Sequence, residues 1–192
     1  CATDGSCLLA CPVGIDTGDL TRRLRGRQLG GRARAVHAWT GENFGTLANA
    51  SRLGLKVGHA ASGVLGDNFL SRISGGAWKK NMPHAGKAPT VRVTQGDPVV
   101  YFPTCGGRIF GPSTAGEKQL GDVIVELLTR AGYAPILPKG FDHLCCGQML
   151  ASKGMAAEAE GMSNTLEAAL MKASENGKYS VIMDASTCTA RM

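Results

Sequence analysis

The chain has 192 residues, 43% hydrophobic and 19% charged, a balance that excludes both a disordered polar chain and a coiled coil. Its 27 glycines and 8 prolines follow no Gly-X-Y period, which excludes collagen, and no apolar run reaches the ~18 residues of a membrane-spanning helix. The net charge of +6 is lopsided, with 13 Lys/Arg against 6 Asp/Glu in residues 1–97 and 8 against 9 in residues 98–192. No charged start with an apolar stretch and a small-residue cleavage site is present, so a soluble chain is expected.

In chain order, residues 1–12 form a compact loop rich in Gly, Ser and Cys. Thr17 or Asp19 can cap a helix carrying Leu20, Leu24 and Leu29, which Gly30-Gly31 ends. A second helix is expected over 32–40. Residues 43–75 suit one or two more, broken near Gly63 and Gly66, with Leu47, Leu53, Leu55, Val57, Val64, Leu65, Phe69, Leu70 and Ile73 as the buried face. Residues 81–97, with two prolines and two glycines, have the composition of a linker. Beyond them the period changes. Val99 to Phe102 is a short apolar run of strand size. Residues 117–133 are an amphipathic helix with Leu120, Val123, Ile124, Leu127 and Leu128 on one stripe and Gly132 as its stop. Residues 134–137 are a second strand. Residues 158–176 form a helix with Met162, Leu166, Ala169 and Leu170 inward, and 179–184 form a third strand. Strand, helix, strand, helix, strand argues for an α/β fold: a helical N-terminal arm followed by a small parallel βαβαβ domain.

Seven cysteines, at Cys1, Cys7, Cys11, Cys105, Cys145, Cys146 and Cys188, are an odd set for a secreted disulfide scaffold. Adjacent cysteines do not form an unstrained disulfide with each other. Metal- or cluster-binding thiolates in a reducing, cytoplasmic compartment are the economical expectation. The first group, Cys1-x5-Cys7-x3-Cys11-Pro12, fits the bacterial cluster run C-x2-C-x2-C-x3-C-P with Asp4 at the second ligand position. Carboxylate is a harder ligand than thiolate and should hold that iron less tightly. A zinc site or free thiols are the competing interpretations. The companion four-cysteine run is missing, so the chain is expected to be a fragment that holds an N-terminal cluster poorly alone.

The second group is Phe102-Pro103-Thr104-Cys105-Gly106-Gly107, then Cys145-Cys146-Gly147-Gln148, then Ala185-Ser186-Thr187-Cys188-Thr189. Each cysteine falls where a strand ends or a helix begins, and open α/β sheets build sites at the carboxyl ends of strands. Four thiols from three strand ends can therefore ring one site, with Gly106, Gly107 and Gly147 leaving amides free to meet sulfur. A helix after Cys146 would favour its thiolate. Small buried core thiols are the competing interpretation, and His143 is a ligand, a proton partner or a solvated loop residue.

CATDGSCLLACPVGIDTGDL resembles the second half of the two-cluster ferredoxin region of flavin-linked D-2-hydroxy-acid (D-lactate and glycolate) dehydrogenases. VYFPTCGGRIFG, CCGQ and DASTCT resemble the first copy of the cysteine-rich CCG repeat of the same proteins, shared with heterodisulfide reductase. The resemblance covers residues 1–25 (half of a ferredoxin-like region) and 98–192 (a CCG-type, Rossmann-like domain), while the residues alone give 26–80 as helical and 81–97 as linker. It implies Cys1, Asp4, Cys7, Cys11, Cys105, Cys145, Cys146 and Cys188 as metal ligands and a [4Fe-4S] cluster as cofactor. FAD and the catalytic residues would lie in an upstream domain, and a quinone or cytochrome-type carrier would take the electrons. The chain departs from the pattern where Arg191 stands at the last cysteine position of C-x-x-C, and where no second copy follows.

Two other functions are consistent with these residues: a thiol/disulfide reductase of the heterodisulfide type, or a zinc-stabilised binding module. Arg22, Arg23, Arg25, Arg27, Arg32 and Arg34 are spread over 13 positions without interleaved aromatics, so nucleic acid is not an expected partner. The basic half suits peripheral association with the anionic inner face of a membrane.

Overall fold

The computed structural model describes residues 6–92, 95–114 and 116–192. The helical arm comprises α1 (Ser6–Ala10), α2 (Thr17–Gln28), α3 (Gly31–Glu42), α4 (Phe44–Leu65) and α5 (Asp67–Ile73). There follow β1 (Asp97–Phe102), α6 (Cys105–Ile109), α7 (Leu120–Arg130), β2 (Tyr133–Ile136), a 3-10 turn at Phe141–His143, α8 (Gln148–Ala151), α9 (Ala156–Ala173), β3 (Val181–Met183) and α10 (Ser186–Thr189).

The three strands form a parallel sheet in the order β2-β1-β3. Val99 lies opposite Pro135 on one side of β1, and Phe102 opposite Met183 on the other. Pro135 is tolerated because β2 is an edge strand. Successive side chains of β1 point to opposite faces, and both faces are covered. Val99 and Tyr101 pack with Val125 and Leu128 of α7, while Val100 and Phe102 pack with Leu166 and Leu170 of α9. An apolar run without alternation is the pattern such a doubly covered strand requires. The α/β architecture expected from the sequence is the one observed.

The helical arm closes over one end of this unit. Phe44 and Ala48 of α4 share a core with Leu150, Ala151, Met155, Ala159 and Met162; burying Phe44 alone contributes roughly 1.5–3 kcal/mol. Arg52 of α4 donates from Nε to the carbonyl of Arg108 at 3.1 Å and pairs through its guanidinium with Asp142 at 2.9 Å. Arg25 of α2 donates to the carbonyl of Ser152 at 2.8 Å. Residues 84–86 of the expected linker run against α6: Ala85 forms an antiparallel bridge with Phe110, and the Gly86 amide donates to Ile109 O at 2.8 Å. Gln119, buried, accepts from the Lys87 amide and donates to Gly107 O at 2.9 Å each. Asp97 already belongs to β1.

Several helix details differ from the sequence expectation. Asp16, rather than Thr17 or Asp19, caps α2 by accepting from the Asp19 amide at 3.0 Å. Helix α4 continues through Gly63 and breaks only at Gly66, whose φ of +81° suits glycine. The buried face of residues 43–75 was expected on the large aliphatics, yet Leu53, Val57, Val64, Leu65, Phe69 and Ile73 are exposed. The buried positions are Phe44, Gly45, Ala48 and Leu55. Small residues decide this face. A Cβ on Gly45 would lie 1.8 Å from His143 Nδ1, and one on Gly58 would lie 2.2 Å from the Trp78 ring. In α7 the buried row is Gly121, Val125 and Leu128, while Leu120, Val123 and Leu127 of the expected stripe face outward. Pro89 lies over Gly121, 3.2 Å from where its Cβ would stand. That contact turns the helix away from its most apolar side.

Candidate thiol site

Three chain segments bring cysteines to the carboxyl ends of β1 and β3. Cys105 opens α6 directly after β1, behind an N-cap at Thr104 whose hydroxyl accepts from the Gly107 amide at 3.5 Å. Cys188 lies in α10 after β3. Cys145 and Cys146 occupy the extended loop between the 3-10 turn and α8. In a sheet ordered β2-β1-β3 the chain reverses its direction of travel at β1, and the crevice between β1 and β3 is where such folds place their sites. All four thiols meet there. Cys145 Sγ lies 3.6 Å from Cys105 Sγ, and Cys146 Sγ lies 3.2 Å from Cys188 Sγ.

The two consecutive cysteines point into different surroundings. Cys145 packs in the core shared with Phe44, Ala48 and Leu150, and Cys146 in the core of Val100, Phe102, Leu166 and Leu170. The glycine that follows them is required by position. Gly147 has φ +76°, and a Cβ there would lie 2.4 Å from the carbonyl oxygen of Ala159 in α9. The loop therefore lies directly on α9. Cys146 precedes only the four-residue α8, so the expected help from a long helix dipole is replaced by one amide, that of Gln148, donating to its sulfur.

Hydrogen bonds within the site set the proton distribution. Cys105 is lowered to about 7, first by its hydrogen bond with Cys145, with the Arg108 charge and the Gly106 amide acting in the same direction. Cys146 is held well below the ordinary thiol range, chiefly by hydrogen bonds with Cys145 and Cys188. Cys145 and Cys188 are pushed up by their hydrogen bonds to those partners and by burial. Each close pair thus combines one thiolate-favouring sulfur with one that keeps its proton. The sequence expectation that glycine amides meet sulfur holds for Gly106 and Gly147. The Gly107 amide bonds Thr104 instead.

Three residues outside the expected ligand set hold this arrangement, of which the sequence singles out only Arg191. Arg108 is 1% exposed. Its guanidinium donates to the carbonyls of Phe141 and Leu144 and lies 5.3 Å from the centre of the Phe102 ring, fastening the loop that delivers Cys145. Asp184, at the end of β3, accepts from the Thr104 amide at 2.8 Å and from the Tyr101 hydroxyl at 2.9 Å, fixing the turn before Cys105. Burial and the Asp184 charge push the Tyr101 hydroxyl above its ordinary range, so it stays a donor. Arg191 donates from Nε to the carbonyl of Cys146 at 2.7 Å.

Of the N-terminal group, Cys1 and Asp4 lie outside the described residues. Cys7 is exposed in α1, and Cys11 follows that helix, half-buried. Backbone amides of Ile15, Val13 and Gly14 donate to the Cys11 sulfur and lower its pKa. His143 is exposed and rests over Gly45. With Glu42, Leu144, Cys145, Glu158 and Met162 it lines a cavity of about 380 Å³ beside the thiols.

Four thiols, amides directed at three of them and two nearby guanidinium groups make a donor set suited to a thiophilic metal. The closest approaches set the sulfurs in two pairs, joined by a hydrogen bond between Cys145 and Cys146, and among the described residues no three His, Cys, Asp or Glu side chains are arranged around a ready metal position. The pairs must separate to take one up. No helix among the described residues is long and apolar enough to cross a membrane. Residues 99–192 match the family model of the CCG cysteine-rich domain. Comparisons with curated proteins and with solved structures return no match.

Proposed function

We propose that this chain is an iron–sulfur electron-transfer portion of a flavin-dependent D-2-hydroxy-acid oxidoreductase, with Cys105, Cys145, Cys146 and Cys188 as cluster ligands. One observation carries the proposal: four thiols from three distant stretches converge at the crevice between β1 and β3. The match of residues 99–192 to the cysteine-rich domain supports a redox or metal-binding role for the same sulfurs. The hydroxy-acid context rests on the resemblance of residues 1–25 and 98–192. Cys1, Asp4, Cys7 and Cys11 would serve a second cluster region, and substrate oxidation would belong to a flavin domain outside this chain, with a quinone or cytochrome-type carrier downstream.

A bound cluster would supply single-electron transfer. The protein's own part is to present thiolates, hold them and exclude water. Amides of Gly106, Gly147 and Gln148 donate to the sulfurs of Cys105, Cys145 and Cys146. Arg108 and Arg191 add positive charge beside Cys105 and Cys146. Val100, Phe102, Leu166 and Leu170 surround the deeper pair with apolar side chains. Such contacts around the ligands tune potential and affinity, and losing one typically costs about 10–100-fold in metal affinity.

Anaerobic reconstitution of the chain with iron and sulfide, followed by desalting, tests the reading. Retained iron and sulfide with thiolate-to-iron absorbance is the expected result, lost in Cys146→Ser and Cys188→Ser. A colourless protein that takes up zinc instead, or iron retained equally by both variants, overturns it.

A further inference from the structure

The four thiols divide into pairs that cut across the chain. Cys105 and Cys145, 40 residues apart, approach to 3.6 Å, and Cys146 and Cys188, 42 residues apart, approach to 3.2 Å. A disulfide needs an S–S bond of about 2.0 Å, so closure asks each pair to move together by roughly 1–1.5 Å. The sulfurs of Cys145 and Cys146 also share a hydrogen bond, but a bond between them is opposed because adjacent Cα atoms stand about 3.8 Å apart, closer than the roughly 4.4–6.8 Å of an unstrained disulfide.

We propose that this site is a two-electron oxidation site that closes into two cross-links, Cys105–Cys145 and Cys146–Cys188. With hydrogen peroxide as oxidant, each thiolate–thiol pair gives up two electrons and its one S–H proton, draws a second proton from water and gains one S–S bond. The two electrons and two protons reduce peroxide to two waters. The pairs differ in access. Cys105 is only partly buried, and Cys145, though just 3% exposed, lines the cavity of about 380 Å³ beside α3 and α9. Cys146 and Cys188 lie inside the apolar core at 2% and 6% exposure. The Cys105–Cys145 bond therefore forms first and the Cys146–Cys188 bond follows. Sulfurs tied in disulfides offer no thiolate to a metal, so oxidation and metal loading exclude each other. That last consequence rests on the proposed function, whereas the pairing itself does not.

The test uses the reduced, chelator-treated chain, titrated with hydrogen peroxide, alkylated and digested with trypsin. The relevant peptides are residues 93–108, 140–153 and 179–191. In the parent chain at low oxidant, the expected first product joins 93–108 to 140–153, with the alkyl label left on Cys146. At high oxidant all three peptides are joined. Cys146→Ser should retain only the link between 93–108 and 140–153, and Cys145→Ser only that between 140–153 and 179–191. A bond within 140–153, a Cys105–Cys146 bond at low oxidant in the parent, or four thiols still alkylatable at high oxidant overturns the proposal. Because the parent chain alone decides the pairing, misfolding of a variant does not protect it. Iron uptake by the reduced chain is measured separately and can fail without changing this result.

Discussion

The Nε of Arg191 donates to the carbonyl oxygen of Cys146 at 2.7 Å, joining the end of α10 to the loop that carries the paired cysteines. In the pattern the sequence resembles, that position holds a cysteine. Here an arginine occupies it and grips the backbone next to a ligand candidate. Cys146 is buried, and a hydrogen bond from a charged donor contributes about 1.5–3 kcal/mol. Arg191→Ala should lower the stability of the reduced chain by about that amount, and Arg191→Lys, which keeps the charge but loses the planar donor, should recover little. Urea unfolding of the three proteins checks this; full recovery by lysine would mean that charge alone matters.

Arg108 poses a larger demand. Its side chain is buried at 1% exposure, bonded to the carbonyls of Phe141 and Leu144 and 4.0 Å from Asp142. Arg108→Met fills similar volume but takes the guanidinium donor from the Leu144 carbonyl and leaves the Phe141 carbonyl only the Leu144 amide, at 3.1 Å. The expected cost is about 3 kcal/mol or more. Alkylation of Cys145 should also accelerate, because the loop that buries it loses its fastening. Thermal melting and iodoacetamide kinetics measure the two effects, and a variant with unchanged melting would show that the guanidinium is not what holds the loop.

The strands and the cysteine positions were legible because their signals are local. Val99 to Phe102 is apolar on consecutive positions, as a strand covered on both faces must be, and each cysteine of this half falls at an element boundary. The packing of α4 was not legible. Its buried face is chosen by Gly45 and Gly58, which admit His143 and Trp78, and a count of large aliphatics points to the wrong side. Arg108 and Asp184 were missed for a related reason. Their partners lie 33–36 and 80–83 positions away in sequence, and nothing near either residue marks it as buried or bonded.

The contact that fastens the end of α4 is acid-sensitive. Asp67 accepts from the Ser62 hydroxyl and from Trp78 Nε1, the latter at 2.9 Å. The Ser62 bond first, then the Trp78 bond, lowers its pKa. A carboxylate with a depressed folded pKa contributes stability that is present above its unfolded value near 3.9 and lost as pH falls through the folded value. The urea midpoint should therefore drop between pH 5 and pH 3 more in the parent than in Asp67→Asn. Fluorescence of Trp78, followed in Trp39→Phe to remove the exposed indole, should report the same step. Parallel pH curves for Asp67→Asn and its parent would remove Asp67 from the account.

Two glycines of the thiol site offer a matched comparison. Gly147 needs a left-handed backbone, and a Cβ there would meet the Ala159 carbonyl at 2.4 Å, an atom fixed in the middle of the site. Gly106, beside Cys105, has nothing within 4 Å of its Cβ position and no positive φ. Alanine at Gly147 adds a strained conformation of about 1–2 kcal/mol to a backbone collision that forces the loop off α9. Alanine at Gly106 sits in open space within a helix and should be neutral or stabilising by about 0.5–1 kcal/mol. Gly147→Ala should unfold at markedly lower urea and separate Cys146 from Cys188, slowing their cross-linking by peroxide, while Gly106→Ala leaves both unchanged. Equal behaviour of the two variants would show that the loop need not lie on α9 to bring the sulfurs together.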